Sequence, residues 1–399
     1  MKRIESIAVH AGREDLRDLG VHALPIDLST TNPLPDLQAG IESYAALCGG
    51  EREGRGSDVY ARLRNPTVAR FEDALARLEG AEAAVAFGSG MAALTALLLA
   101  RRPQGRHVVA VRPVYGGTDH LLSHGPLDLE TTWAHADQVA GALRADTSLV
   151  IIETPANPTL DLVDIAAVVR QAGSVPVLVD STFATPVLQN PIALGARFVL
   201  HSATKYIGGH GDVIAGAIVC SEADAHALRP VRAITGALLH PLGAYLLHRG
   251  LATLPLRIER QQRNAQRLVS KLLEHPQVEH LHYPGLAGSP NAQLVGPNAQ
   301  MRGPGAMLAF EVKGGLAAAA AVMVAVRMLT PAVSLGSVDS LIQHPAGITH
   351  QLLDAAAKRD CGIAPGLLRI SVGLEHPDDL WADLSQALEA ARRLPRAVA

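Results

Sequence analysis

The middle of the chain alternates short, nearly continuous hydrophobic runs with stretches of helical length and pattern. The hydrophobic runs, each predicted to be a buried strand, cover residues 83–87, 107–111, 149–152, 175–179, 198–200 and 215–219. The stretches predicted to be helices lie at 67–78, 91–100 and 164–172. Strands that are apolar nearly throughout, and that alternate with helices, are typical of parallel sheets covered on both faces. We therefore predict an α/β fold with a mostly parallel sheet flanked by helices.

The two ends of the chain differ from this middle part, residues 58–250. Residues 1–57 lack sustained periodicity and end in the glycine-rich run GGEREGRGSD, so we predict an N-terminal arm that is either mobile or shaped by contact with a neighbouring subunit. From residue 251 a charged helix, a Pro/Gly-rich stretch, a strand and an alanine-rich helix follow, at 258–274, 282–304, 307–311 and 316–329. This change predicts a smaller α+β domain over residues 251–399.

Composition fits a globular protein and argues against several classes of partner. Of the 399 residues, 48% are hydrophobic and 18% are charged, which indicates a large core. A net charge of −3 gives no reason to expect binding to nucleic acid or to an anionic membrane. The longest apolar stretches, 91–100 and 316–326, are shorter than the roughly 20 residues of a membrane span, and the N-terminus has no apolar signal core.

Cysteine usage indicates a reducing compartment. Cys48, Cys220 and Cys361 are widely spaced and odd in number, and they match neither a disulfide framework nor a zinc motif. We therefore predict a cytoplasmic protein without a metal site.

The segment FVLHSATKYIGGHG, residues 198–211, carries the strongest chemical signal. Its strand delivers Ser202, Thr204 and Lys205 to a glycine-rich turn. The two hydroxyls suit a phosphate, and the lysine amine can bond a carbonyl group. Pyridoxal 5′-phosphate (PLP) requires both, since its phosphate is bound by the protein and its aldehyde forms a Schiff base with a lysine. The alternative for this segment alone is a solvent-facing lysine after an edge strand.

Two other strand ends suit the same cofactor. Gly90 opens a helix after Gly88-Ser89, and free N–H groups at a helix start bind phosphate, although an ordinary strand–helix turn looks the same. Tyr115 precedes Gly116-Gly117 and can place its ring against an aromatic cofactor, or can simply lie at a turn.

Two further strands end in polar residues. Asp180 ends a buried strand, where its carboxylate needs a partner such as a pyridinium N–H, or else caps the following helix. Asn157, in ETPANPT, can bond the phenolic oxygen of a pyridoxal or serve as a turn residue.

With these residues in place, the chain resembles the Cys/Met-metabolism PLP enzymes, the cystathionine γ-synthase-like family of fold type I, over nearly its whole length. The matching blocks are VYARLRNPT (59–67), FGSGMAA (87–93), YGGT (115–118), ETPANPT (153–159), VDSTFATP (179–186), HSATKYIGGHGD (201–212), SLGSVDSLIQHPAGITH (334–350) and LLRISVGLE (367–375). The resemblance implies fold type I and PLP as cofactor.

The resemblance also implies a role for each site residue. Lys205 forms the Schiff base, Asp180 pairs with the ring nitrogen, and Tyr115 stacks on the ring and assists leaving-group chemistry. The phosphate is held by the amides of Gly90 and Met91, by the hydroxyls of Ser202 and Thr204, and by Tyr60 and Arg62 of a neighbouring subunit. Arg369, helped by Asn157, binds the substrate α-carboxylate, and Ser334 orients Lys205. A shared site implies at least a dimer, and the family is usually a homotetramer of two dimers.

Substrate preference is predicted from two apolar positions. Family members that act on cystathionine resemble one another in carrying acidic residues where this chain has Val59 and Val333. Without those carboxylates the pocket favours an uncharged thioether, so we predict a methionine γ-lyase-like reaction that yields methanethiol, 2-oxobutanoate and ammonia. The chain departs from the methionine γ-lyases at Gly116, where they typically carry cysteine, and at Arg232-Ala233, where they carry Lys-Asp. The family commonly has asparagine in place of Ser181.

Other functions stay open at this point. The chain also fits a cystathionine γ-lyase, or γ-replacement on an O-acylhomoserine by a cystathionine γ-synthase or an O-acetylhomoserine sulfhydrylase. A non-catalytic PLP-fold protein is a third possibility. The presence of Lys205, Asp180, Tyr115 and Arg369 together argues against it, because a scaffold needs none of them.

Overall fold

A computed structural model describes residues 3–393 and contains a seven-stranded sheet at its centre. Its strands are β1 (Ala83–Phe87), β2 (His107–Val111), β3 (Glu130–Ala134), β4 (Thr147–Glu153), β5 (Val177–Asp180), β6 (Phe198–His201) and β7 (Gly216–Cys220). They lie in the order β1-β7-β6-β5-β4-β2-β3. The pairs from β6 to β3 are parallel, whereas β7 is antiparallel to both β1 and β6. The mostly parallel α/β fold is confirmed.

Helices cover both faces of this sheet. In chain order the helices are α1 (Ile4–His10), α2 (Leu37–Gly49), α3 (Pro66–Glu79), α4 (Gly90–Arg101), α5 (Gly116–His124), α6 (Val139–Ala142), α7 (Ile165–Ala172), α8 (Thr185–Leu188), α9 (Glu222–Thr235), α10 (Pro241–Leu273), α11 (Gly315–Ala325), α12 (Ala355–Asp360) and α13 (Pro377–Arg392). Helices α4 and α9 pack on one face, and α3, α7 and α10 pack on the other. Burial on both sides explains why the strands are apolar at almost every position.

A second, smaller sheet follows in the C-terminal part. It consists of β8 (Val278–His282), β9 (Met307–Val312), β10 (Thr330–Pro331), β11 (Leu341–Gln343) and β12 (Leu367–Ser371), in the order β10-β11-β12-β9-β8. Its apolar side chains form a core with those of α11 and α13. This sheet matters for function because β12 carries Arg369.

The long helix α10 connects the two sheets. Its first half, with Leu247 and Leu254, packs into the core of the larger sheet, and its second half, with Leu268 and Leu272, packs into the core of the smaller one. The predicted helix 258–274 therefore begins much earlier, at Pro241, where proline suits the first helical turn and the His240 ring accepts the N–H of Leu242. The boundary predicted after residue 250 falls inside this helix.

Other differences from prediction have simple causes. Strand β3 was not predicted, since its sequence ETTWA is polar and only partly buried at the sheet edge. Helix α11 ends at Ala325, because the chain then turns and Asp383 accepts the N–H groups of residues 327–329.

The predicted arm contains α1 and α2 and exposes many apolar side chains. Those exposed between residues 19 and 44 are Leu19, Val21, Ile26, Leu28, Leu34, Leu37, Ile41 and Tyr44. Such a concentration on one segment is typical of a surface that contacts another protein. In residues 3–393 no helix combines the length and the apolar character that crossing a membrane requires.

Candidate active site

A cavity of about 960 Å³ lies where the carboxyl ends of β4, β5 and β6 meet the smaller sheet. Ligands of open α/β sheets bind beyond these strand ends. The cavity is lined by many of the predicted residues, namely Gly90, Met91, Tyr115, Asn157, Asp180, Ser202, Thr204, Lys205, Val333, Ser334 and Arg369. Residues from distant parts of the chain therefore meet around one space.

Asp180 is the last residue of β5, and its side chain faces the cavity. Its Oδ1 accepts hydrogen bonds from the Thr182 hydroxyl at 2.6 Å and from the Thr182 N–H at 3.0 Å. Burial raises the pKa of the Asp180 carboxyl, and the bonds from Thr182 together with nearby His201 oppose that shift. A carboxylate held in this way suits a cationic ring N–H.

Lys205 follows β6 and points into the same space. Its Nζ donates to the Ser334 hydroxyl at 2.7 Å. Burial, helped by the positive charge of Arg369, lowers the pKa of the Lys205 amine to about 8. The neutral fraction of this amine near physiological pH is therefore much larger than for an ordinary lysine, and a nucleophile or a base must be neutral.

The opposite end of the cavity suits a phosphate. Ser89 caps α4 by accepting the N–H of Ala92 at 3.0 Å, and the first turn of the helix opens toward Ser202. A Cβ at Gly90 would lie 3.1 Å from the Ser202 Cβ, so glycine keeps a side chain out of the space between the helix start and Ser202. The Thr204 hydroxyl bonds both the carbonyl and the N–H of Ala215, so it must turn away from that carbonyl to donate to a phosphate.

Arg369 brings a buried positive charge from β12. It donates to Asn157 Oδ1 at 2.6 Å and to the Ser334 carbonyl at 2.9 Å, and both of these acceptors are uncharged. Burial lowers the pKa of the guanidinium to about 10, which leaves it charged near neutrality. Its charge is therefore available to a substrate carboxylate.

The chemical groups around the cavity fit PLP together with an amino acid. The cavity offers an amine for the aldehyde, a buried carboxylate for the ring nitrogen, an aromatic ring, a helix start with hydroxyls for the phosphate, and a guanidinium for a carboxylate. The absence of a side chain at Gly90, close to Ser202, supports the phosphate position in particular.

Four predicted residues do not line the cavity of their own chain. Tyr60 is 43% exposed, and Arg62 lies beside its ring and donates to the Ala233 carbonyl. Val59 packs against the small cluster formed by Leu47, Leu63 and Ala233. Gly116 lies behind Tyr115, at the start of α5.

Gly116 has no space for a side chain. A Cβ at this position would lie 2.1 Å from the carbonyl oxygen of Thr349, which belongs to the segment after β11. A cysteine here, as the methionine γ-lyases typically carry, would meet the same carbonyl. Glycine at this position therefore lets the Thr349 segment approach the backbone beside Tyr115 closely.

We expect Gly116→Ala to lower the free energy of unfolding by about 1–3 kcal/mol, since the new methyl group forces the Thr349 segment to move. Thermal denaturation and kcat/KM measure the effect. Gly141→Ala is the matched control, because no atom lies within 4 Å of its Cβ position on α6. Equal stability of the two variants would contradict the tight contact at Gly116.

Sequence reasoning gave no role to two residues that organise the site. Thr182 bonds Asp180 and accepts the N–H of Ser202 at 2.9 Å, so it joins the ends of β5 and β6. Glu153 accepts N–H groups from Tyr115 and Asn157. Their only signal in the sequence is their position inside the blocks VDSTFATP and ETPANPT. The unusual Ser181 is buried and accepts a hydrogen bond from Gln189.

Comparison with known proteins agrees with this geometry. The family model described as Cys/Met metabolism PLP-dependent enzyme matches residues 5–389. The L-methionine gamma-lyase of Streptomyces avermitilis is 54% identical over 396 residues, which is 99% of this chain and 91% of the relative. That of Brevibacterium sandarakinum is 55% identical over 390 residues, covering 97% of this chain and 98% of the relative.

A solved structure of a related enzyme has the same fold. The cystathionine gamma synthase of Xanthomonas oryzae pv. oryzae, in complex with aminoacrylate and cysteine, superimposes with a TM-score of 0.88 at 36% identity. The match covers 98% of this chain and 99% of the other. The family predicted from the sequence motifs is thus confirmed, and the chain belongs to the Cys/Met metabolism family of enzymes, whose cofactor is PLP.

Proposed function

We propose that the protein is a methionine γ-lyase, which converts L-methionine and water to methanethiol, 2-oxobutanoate and ammonia. The observation that carries this proposal is the apolar character of the cavity lining next to Ser334, where Ala332 and Val333 precede it in the chain and line the cavity. An uncharged thioether tail packs favourably against such a lining. The curated relatives at 54% and 55% identity carry the same activity in their names.

We propose the following roles for the residues of the site. Lys205 bonds the cofactor, Asp180 pairs with its ring nitrogen, and Tyr115 stacks on its ring. The Gly90 and Met91 amides and the Ser202 and Thr204 hydroxyls bind its phosphate. Arg369 and Asn157 bind the substrate carboxylate, and Ser334 orients Lys205.

Bound PLP supplies an electron sink for charge that develops on the substrate. The protein supplies the proton transfers and the orientation. Arg369 fixes the substrate carboxylate, which holds the α-hydrogen near Lys205. With PLP and substrate bound, the Lys205 amine would take the α-proton and move protons along the carbon chain. The Tyr115 hydroxyl lies at the same cavity and can protonate the leaving thiolate.

A pH dependence follows from the lowered pKa of Lys205. Only the neutral amine can bond the cofactor aldehyde, so the rate at which apo-protein captures PLP should rise with pH and reach half its maximum near pH 8. Stopped-flow absorbance of the cofactor measures this rate. A rate that is constant between pH 6 and 10, or that falls as pH rises, would contradict a neutral Lys205 as nucleophile.

We propose that the active site is completed by a second subunit in a dimer, and that two dimers form a homotetramer. Tyr60 and Arg62 lie away from their own cavity, and Tyr60 is exposed. The exposed apolar side chains of the arm supply a surface for a partner. An arginine from the partner would add a charge-assisted bond to the phosphate.

Mixing two inactive variants tests the shared site. Lys205→Ala and Arg62→Ala each damage the site, but a hybrid dimer holds one site with neither change. Subunit exchange between them is expected to restore about a quarter of wild-type activity, because half of the randomly formed dimers are hybrids with one intact site. Activity that stays at the level of the unmixed variants would contradict sharing of Arg62.

One feature of the cavity favours cystathionine γ-lyase as a second candidate. Asp212 and Asp339 line the exposed rim of the cavity. A carboxylate at the rim can attract the distal ammonium of cystathionine. We place methionine first because the side chain next to Ser334 is valine.

Comparing kcat/KM for L-methionine and L-cystathionine separates the two candidates. We expect the larger kcat/KM with methionine. Asp339→Asn should lower only the value for cystathionine. A larger value with cystathionine in the wild-type enzyme would favour the second candidate.

We propose that residues 1–57 form the arm, residues 58–250 the PLP-binding domain and residues 251–399 the C-terminal domain, with α10 running across the last boundary. We also propose that the protein works in the cytoplasm. The free thiols of Cys48, Cys220 and Cys361 support a reducing environment.

A further inference from the structure

Glu153 is the last residue of β4, and its carboxylate lines the cavity although the residue is only 6% exposed. Each of its two oxygens accepts one backbone hydrogen bond. Oε2 accepts the N–H of Tyr115 at 2.7 Å, and Oε1 accepts the N–H of Asn157 at 2.8 Å. One side chain thus joins the loops at Tyr115 and Asn157, which lie 42 residues apart in sequence.

Both loops carry groups that act on the substrate in the proposed function. Tyr115 is the residue before α5, and its own side chain makes no capping hydrogen bond there. The bond to Glu153 therefore fixes the backbone of Tyr115, which is 41% exposed and lines the cavity. Asn157 accepts a hydrogen bond from Arg369, so fixing its backbone also fixes the guanidinium.

Burial and a neighbouring carboxylate both disfavour the charged form of Glu153. The register of β4 and β5 sets Glu153 opposite Asp180 in the sheet. Burial and the nearby charge of Asp180 raise the pKa of Glu153, whereas the two backbone N–H groups and Arg369 oppose that shift. A glutamine of the same shape could satisfy only one of the N–H groups, because its NH₂ would face the other.

We propose that Glu153 is a positioning residue for the reaction, which holds the Tyr115 ring and the Asn157–Arg369 pair in place by accepting both backbone N–H groups. This inference rests on the proposed function for the chemistry, but the geometry it concerns also governs cofactor binding. Glu153 acts through Tyr115 and Asn157, and it makes no proton transfer itself.

The test compares Glu153→Gln with Asp383→Asn. Asp383 is a matched control, since its carboxylate also accepts backbone N–H groups, from Arg327 at 2.8 Å and Met328 at 2.7 Å, but lies in the C-terminal core beside α11. We expect Glu153→Gln to lower kcat/KM for methionine by about 10- to 100-fold and to weaken PLP binding, because one N–H loses its acceptor. Asp383→Asn should lower the Tm and leave both quantities unchanged.

A double variant shows whether the effect passes through Tyr115. In a Tyr115→Phe background the added loss from Glu153→Gln should be smaller than in the wild type, since the hydroxyl that needed positioning is gone. If Glu153→Gln does not fold, Glu153→Asp replaces it. Its shorter side chain keeps the charge but cannot reach both N–H groups, so the same losses are expected.

Two results would overturn the inference. One is a Glu153 variant with wild-type kcat/KM and wild-type PLP affinity. The other is a loss that matches that of Asp383→Asn in every quantity, which would mean general destabilisation. If the wild-type enzyme binds PLP but releases no methanethiol from methionine, the proposed function fails, and the PLP affinity of the Glu153 variant still decides the role of Glu153.

Discussion

Lys205→Ala is expected to lower kcat/KM for methionine by about 10⁴-fold or more, because one change removes both the covalent attachment of the cofactor and the base that moves protons. The amine is placed for these roles by its bond to Ser334 at 2.7 Å and by burial, which lowers its pKa to about 8. The measurements are steady-state kinetics and the absorbance of the purified protein. The band of the lysine-bound cofactor should be absent from the variant.

Lys271→Ala is the control for this prediction. Lys271 is an exposed residue of α10, and its loss should change neither the activity nor the absorbance. Lys205 lines the cavity and belongs to none of the hydrophobic cores within residues 3–393, so the variant should fold. Near wild-type turnover by a folded Lys205→Ala protein would mean that another residue acts as the base.

Arg369→Gln is expected to lower kcat/KM by about 10²- to 10³-fold, mostly through a higher KM, since the substrate carboxylate would be left in a buried site without its partner. The same substitution should also change the pKa of Lys205. The charge of Arg369 helps to lower the pKa of Lys205, so its removal should raise that pKa and shift the pH dependence of PLP capture to higher pH. Steady-state kinetics and the capture rate measure the two effects.

Arg263→Gln, an exposed position on α10, is the matched control and should leave both quantities unchanged. A methionine analogue without its α-carboxylate provides a further check. The wild-type and Arg369→Gln enzymes should process this analogue about equally, because neither can use the missing contact. A large difference between them would show that Arg369 acts in some way other than binding the carboxylate.

Much of the fold was predictable because of how the strands are buried. Val85, Val109 and Val179 belong to strands with helices on both sides, so their surroundings in the sequence are apolar and the pattern is clear. Strand β3 lies at the sheet edge, and Trp133 is only partly buried there, so its sequence resembles that of a loop. Helix α10 extended beyond its predicted start because tertiary packing on two cores favours a continuous helix.

The candidate site was predictable where a strand end carries a chemical group. Asp180 directly follows the apolar run 175–179 and Lys205 lies shortly after the run 198–200, and parallel strands bring such ends to one edge of the sheet. Arg369 could be assigned only through the resemblance, because it comes from a different sheet. The contact between Gly116 and Thr349 is a backbone contact, which no pattern of side chains predicts.

Glu153 illustrates a further limit of sequence reasoning. A glutamate at the end of a strand predicts a solvent-exposed or catalytic carboxylate equally well. Its role as an acceptor for two backbone N–H groups depends on the path of the loop at Tyr115, which comes from another strand. Positioning residues of this kind are visible only after the strands are placed side by side.

An end-point assay with L-methionine as the sole substrate of the PLP-loaded enzyme tests the proposed function most directly. Methanethiol and 2-oxobutanoate are quantified together, and Lys205→Ala serves as the blank. The two products should appear in equal amounts, and neither should appear with the variant. A wild-type enzyme that forms neither product from methionine, while it consumes an O-acylhomoserine together with a thiol, would contradict the proposed γ-lyase function.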